Sequence, residues 1–436
     1  MAVGNVSVDQ AKLVLNSFAA IFQNNLISKD LVTWRKFDGE MNDRNALTVV
    51  EQVGPRYVVS RTTNGVADLS AGVQDSVFGS EQYKLQDVFG SNMGWGDFVK
   101  IRDIGAARES EALKNAAMNL AEKIDAYILG FAALASNNWT GTAGNSVSTF
   151  DAVANGYTRL KDEGNEDSDL RAVLTYSDKQ ALGSAIVTNN ASLTDLGQGT
   201  YRDGFTGQVA GIPTMFTQQL PTIATGTRTN GTVTAAGGNV NYSAVAISTA
   251  PGLYMTQTLS LSGLGANATI KDGEVFTIAG VFAYDNRLGA ARPILQQFRV
   301  IGDTTASAGG VATPTIFPAL IIPDNSSQIG TPAVNTANAT VSAAPLVNAV
   351  VTFFGNPSGL YKPRVILNKQ SIVVSTADLI LPATGIGSRK ALTKVPLSVR
   401  MWQDSIFATG DHRVRFDVAL TANTGDRRRL VRINGV

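Results

Sequence analysis

The sequence predicts a mixed α+β protein of about two to three domains, and three observations predict it. One long amphipathic helix stands among strand-like segments; a mixed α/β stretch follows it; a charge-poor stretch of short alternating runs, rich in Gly, Thr and Ala, then interrupts the chain. Of the 436 residues, 44% are hydrophobic, enough to bury a sizeable core. Only 16% are charged, against roughly 25% in an average soluble domain. Much of the surface is therefore expected to face other protein rather than water. The net charge of +1 gives no global field for nucleic acid or an anionic membrane. Cysteine is absent, which excludes disulfides and thiolate metal sites and fits assembly in a reducing cytoplasm.

The elements follow in order. The N-terminal stretch MAVGNVSVDQAKLVLNSFAAIF has no early basic region, and Asp9 and Lys12 interrupt it, so it does not read as a signal peptide. No apolar run reaches about 18 residues, and no membrane helix is expected. Asp9 can cap a short helix running to about Gln23, with Leu13, Phe18, Ile21 and Phe22 as its uneven apolar face. Two β-like runs, 46–53 and 57–62, flank Gly54-Pro55 and read as a hairpin or a long two-stranded loop. The clearest helix spans 106–135, where Leu113, Ala117, Leu120, Ile124, Ile128, Phe131 and Leu134 recur at spacings of three and four. At about 1.5 Å per residue it would be ~40 Å long, a spine against which a sheet can be laid. Glu109 and Glu111 suit its first turns by opposing the helix dipole.

Residues 148–220 read as mixed α/β, with strands at 172–176 and 211–216 and a helix at 178–189. Between Thr222 and Ile270, Arg228 is the sole charge, and the alternating runs 256–261 and 275–281 suggest an inserted all-β module reaching about Pro314. From Thr304 to Tyr361 the only charge is Asp324. Strands at 364–374 and 414–420 and an arginine-rich tail close the chain.

The search for chemistry finds little. His412 is the single histidine, so a Ser-His-Asp triad would have to use it and a His-rich zinc site cannot be built; beside a turn it reads as a surface or interface residue. Asp162, Glu163, Glu166, Asp167 and Asp169 lack a calcium-loop register and read as a solvated loop. Gly263-Leu264-Gly265 with Ala268 imitates a dinucleotide fingerprint, but no helix pattern follows it. No catalytic, metal or cofactor residues are assigned, and no cofactor is expected. Arg427, Arg428, Arg429 and Arg432 are candidates for contact with DNA phosphate or with a neighbouring subunit.

Four stretches carry a family resemblance: IRDIGAARESEALKNAAMNLAEKIDAYIL from Ile101, YRDGFTGQVAGIPTMFTQQLP from Tyr201, GEVFTIAGVFAYDN from Gly273 and SIFATGDHRVRFDVAL from Ser405. In this order they resemble the major capsid proteins of tailed bacteriophages with the Hong Kong 97 (HK-97) fold, and in particular the P-twenty-two-like short-tailed phage coat proteins with an inserted domain. The resemblance implies an N-terminal arm (1–36), an extended loop (37–83), and a peripheral domain (84–137 and 386–436) holding the spine helix. It also implies an apical domain (138–221 and 315–385) and an inserted β domain (222–314). The implied function is self-assembly into hexamers and pentamers of an icosahedral shell around double-stranded DNA, assembled in the host cytoplasm. A scaffolding protein and a portal protein are implied partners, a decoration protein is a further candidate, and no membrane is involved. Some relatives crosslink through a lysine in the extended loop, but 37–83 contains no lysine, so a non-crosslinked shell is expected. No long charged N-terminal segment is present to act as a built-in scaffold, which favours a separate one. An encapsulin-like nanocompartment shell and a secreted β-rich adhesin are the alternatives.

Overall fold

A computed structural model describes residues 8–37, 48–59, 74–95, 111–163, 169–190, 208–323, 331–382, 386–405 and 412–433. The chain divides into two compact units, each assembled from separated segments.

The first unit joins Met1–Val49, Tyr83–Phe131 and Lys369–Gly425. Its centre is a six-stranded sheet in the order Thr33–Lys36, Ile372–Ala377, His412–Thr424, Ser398–Ser405, Ile386–Ala391, with Val88–Trp95 also pairing His412–Thr424. The first pair is parallel and the rest antiparallel. The N-terminal helix, Val8–Asn25, lies on Ile386–Ala391 and Ser398–Ser405. Leu15, Phe18 and Phe22 are fully buried, and Phe18 stacks on Phe416 at 3.9 Å between ring centroids. Residues 15–37, most of them within the expected N-terminal arm, fold into this unit because their apolar side chains cover its sheet. Within the strand Val88–Trp95, Gly90 is required: a Cβ there would stand 2.6 Å from the carboxylate of buried Asp417.

The long helix is described over Glu111–Ala135; its expected onset near 106 lies outside the described residues. Leu113, Ala117, Leu120, Ile124 and Ile128 are buried, whereas Phe131 and Leu134 are half-buried. Polar residues between them face solvent, as the helical period demands. The exception is Asp125, fully buried, which accepts from the backbone N–H groups of Ile27 and Ser28 at 2.8 and 2.9 Å. Tyr127 donates to Asp87 at 2.8 Å and packs on Phe89, fixing the helix to the sheet.

The second unit joins Val50–Gln82, Ala132–Asn368 and Asp426–Val436. One part is a mixed six-stranded sheet ordered Asn138–Thr140, Leu430–Ile433, Arg364–Asn368, Leu170–Leu174, Ile212–Phe216, Gln208–Val209. The helix Phe150–Asp162 packs on it; Thr149 caps the helix, accepting from Ala152 N–H at 3.3 Å. The other part is a seven-stranded antiparallel sheet ordered Gln257–Thr258, Thr315–Phe317, Ala290–Ile301, Val275–Asp285, Val350–Phe353, Gly231–Val233, Leu261–Ser262. A bridge from Leu261 to Ala312 curls its ends together around a core that includes Phe276, Phe298, Val300, Ile316 and Phe353.

Two expectations change. The β module draws strands up to Phe353, past Pro314, because Val350–Phe353 is needed between Val275–Asp285 and Gly231–Val233. The run 364–374 divides at a 3-10 turn, Lys369–Ser371, into two strands of different sheets. The run 46–53, described as Thr48–Val53, pairs with Gly79–Lys84, which is the second of its two readings, the long two-stranded loop; residues 60–62 of the other run lie outside the described residues.

Candidate assembly site around the arginine-rich C-terminal segment

Asp426 sets the geometry of the arginine-rich segment. Its carboxylate accepts from the Arg428 backbone N–H at 3.2 Å and starts the 3-10 turn Arg427–Arg429. The strand Leu430–Ile433 then runs parallel to Asn138–Thr140 and antiparallel to Arg364–Asn368. The turn and strand send the four arginines to different places. Arg427 and Arg432 are only 5% and 2% exposed. Arg427 lies over the Phe317 ring and donates to the Gly252 carbonyl. Arg432 lies over Trp139 and donates to the Gly273 carbonyl. Burial, and then the charge of Arg299, pushes both guanidinium groups below their ordinary range. Arg428 and Arg429 remain partly exposed and share Asp426, at 3.0 and 3.3 Å. Buried guanidinium groups cannot meet a phosphate, so the expected outside contact narrows to Arg428 and Arg429.

Arg432 belongs to a hub where the β module meets the mixed sheet. The hub is the turn Lys271-Asp272-Gly273-Glu274. Glu274 accepts from Gly226 and Lys271 backbone N–H groups and pairs with Arg228 at 2.5 Å, with both side chains buried. Asp272 accepts from Arg299 and from the Gly302 backbone N–H, each at 3.0 Å. Gly273 has φ +81°, and a Cβ there would stand 2.6 Å from the Leu134 side chain and 3.1 Å from its Cα. Trp139 and Gln297 exchange two hydrogen bonds at 2.7 and 2.9 Å. The module is held by this set of hydrogen bonds and ion pairs rather than by a loose tether, although the Nε atoms of Arg299 and Arg432 are buried without a hydrogen-bond partner.

A second buried pair orders the mixed sheet. Arg364 donates twice to Asp178, each time at 2.8 Å. Asp178 also accepts from the backbone N–H groups of Val147 and Thr175 and from the Thr175 hydroxyl. Burial would raise this carboxyl, but Arg364 and Thr175 outweigh it and hold it below the usual range.

The remaining sequence candidates fall apart spatially. His412 opens the strand His412–Thr424, with its backbone between Trp95 and Ser405. Of the acidic run, Glu166 and Asp167 lie outside the described residues, and Glu163 faces Arg159 at 3.5 Å. Gly263 and Gly265, at φ +76° and +99°, form the turn between Leu261–Ser262 and Thr269–Ile270, with no helix to receive a phosphate. Sequence reasoning passed over Glu274 and the Asp178–Arg364 pair. Its one signal was Arg228, a lone charge in an uncharged run, which marks a buried pair more readily than a surface.

A family model described as "P22 coat protein - gene protein 5" matches residues 82–427. No curated protein matches the chain. Among solved structures, the capsid of cyanophage P-SCSP1u is similar at 10% identity over 94% of this chain and 88% of that one, with TM-score 0.45. The Mycobacterium phage Che8 structure is similar at 9% identity over 90% and 86%, with TM-score 0.43. The CUS-3 coat protein I-domain is similar at 19% identity, covering 29% of this chain and 96% of that domain, with TM-score 0.21.

Proposed function

The chain belongs to the P22 coat protein family and is a major capsid protein of an icosahedral phage shell, and from that premise we propose how it builds the shell. The subunit adopts the HK-97-type plan. The loop around Thr48–Val53 and Gly79–Lys84 serves as the extended loop that reaches a neighbour, and the sheet of the first unit, with the long helix, serves as the peripheral domain. The mixed sheet serves as the apical domain and the seven-stranded module as the inserted domain. Subunits gather as hexamers and pentamers in the host cytoplasm with a separate scaffolding protein, close around a portal and receive double-stranded DNA. Arg428 and Arg429 supply inter-subunit or phosphate contacts; a decoration protein is a further candidate partner. The role is structural rather than enzymatic, and the shell is non-covalent, since no lysine occurs in 37–83.

The match across residues 82–427 carries this reading. The low charged fraction supports it, since a charge-poor surface packs against copies of itself with little desolvation cost. The test is assembly of the full chain with and without its scaffolding protein. Uniform shells only with the scaffold are expected; uniform shells from pure subunit alone would count against a separate scaffold.

A further inference from the structure

We propose that the hub at the turn Lys271-Asp272-Gly273-Glu274 binds a monatomic anion of about chloride's size, held by the Arg432 Nε N–H and the Tyr361 hydroxyl. The ion would pin the β module to the mixed sheet within a single subunit, whether free or assembled.

Charge in the hub does not balance among the described residues. Arg228 has Glu274 at 2.5 Å, and Arg299 has Asp272 at 3.0 Å. Arg427 lies in the field of buried Glu81, which favours its charged form. Lys271 adds nothing to the balance, because it pairs with Asp303 at 2.6 Å. That leaves Arg432. It is 2% exposed, and its contacts are the Gly273 carbonyl and the face of Trp139, neither of which carries a net charge. Asp272 and Glu274 favour its charge from a distance, but each already serves its own arginine, and burial and Arg299 outweigh them. A cation taken out of water without a counter-charge is costly, and buried charges are found paired.

Two hydrogen-bond donors stand unused beside that cation. The Arg432 Nε is buried without a partner. The Tyr361 hydroxyl oxygen accepts from the Asn356 backbone N–H at 2.7 Å, while its own O–H meets no acceptor among the described residues. Tyr361 is 7% exposed. Arg432 and Tyr361 line one cavity, together with Trp139, Gly273 and Glu274.

The cavity sets the class of ligand. Its volume is about 10 Å³, room for one particle of roughly water's size. Phosphate, sulfate and carboxylate ions are too large; a halide is the anion that fits. Glu274 on the wall does not repel it strongly, because both carboxylate oxygens are engaged, one by the Gly226 and Lys271 backbone N–H groups and the other by Arg228. A water molecule in the same place would occupy the two donors but leave Arg432 without a counter-charge. A halide supplies both.

The test uses the full-chain subunit and chloride as the probe. With sodium chloride replacing sodium gluconate at constant ionic strength, the melting temperature is expected to rise saturably, by about 2–4 °C. The ³⁵Cl resonance of the buffer should broaden in the presence of the subunit. Arg432→Met, similar in length and uncharged, is expected to abolish both effects. Tyr361→Phe keeps the charge and removes one donor, so it should raise the chloride concentration at half-saturation about tenfold. That second variant keeps the proposal falsifiable if Arg432→Met fails to fold. Absence of a chloride-specific rise in the unaltered chain overturns the proposal in favour of water. Broadening that persists undiminished in Arg432→Met, or a half-saturation point unmoved by Tyr361→Phe, overturns it by placing the ion elsewhere.

Discussion

Asp178 and Arg364 are the residues whose loss the fold should tolerate least. Asp178, in the first turn of the helix Tyr176–Asn190, and Arg364, on a strand of the mixed sheet, are both buried and joined by two 2.8 Å hydrogen bonds. Removing the guanidinium leaves a carboxylate with no counter-charge in a desolvated site, which costs about 3–5 kcal/mol. Arg364→Leu should lower the urea midpoint accordingly, and a shift of less than about 1 kcal/mol would contradict the assignment. The same carboxyl gives a pH dependence. Its folded pKa lies below its unfolded value of about 3.9. Its contribution is therefore complete above that value and is lost as pH falls through the depressed folded one. Asp426 is depressed too, despite burial, through Arg428 and Arg429. Thermal stability should fall steeply below about pH 4. Asp125 runs the opposite way: burial raises its pKa, so acid relieves its charge penalty. At this scale the sequence was least legible. Arg427 and Arg432 look like a basic tail in one dimension, and only the turn at Asp426 and the strand after it turn them inward.

At the scale of elements, periodicity found what is local and missed what is distant. The spine helix was readable because Leu113, Ala117, Leu120, Ile124 and Ile128 repeat on one face, and five burials follow from that repeat. The strands Leu170–Leu174, Ile212–Phe216 and Val275–Asp285 were readable for the same reason, within a few residues. Partnership was not. Thr33–Lys36 pairs with Ile372–Ala377, and Asn138–Thr140 with Leu430–Ile433, across spans over which no local pattern carries information. The N-terminal helix shows the consequence: its apolar face was visible, its sheet was not. Phe18→Ala should cost about 3–5 kcal/mol, since Phe18 is fully buried and stacked on Phe416. An unchanged melting temperature would mean that the helix is dispensable to the first unit.

At the scale of the molecule, composition was the most informative signal. A chain with 44% hydrophobic and only 16% charged residues has few charges to spread over its surface, against roughly 25% in an average soluble domain. The described residues put part of it on the β module, in uncharged strands beside the exposed Leu346 and Val347. Such surface is explained when it faces copies of the same chain. Because 37–83 contains no lysine, the particle should fall to intact monomer when boiled in denaturant, and a covalent ladder would contradict a non-covalent shell. The central claim, a subunit that closes into an icosahedral shell, is tested most directly by electron microscopy of particles formed by the full chain with its scaffolding protein. Closed, regularly faceted shells made of hexameric and pentameric clusters are the expected result. Soluble monomers with no shells or lattice sheets at any concentration or salt would contradict it.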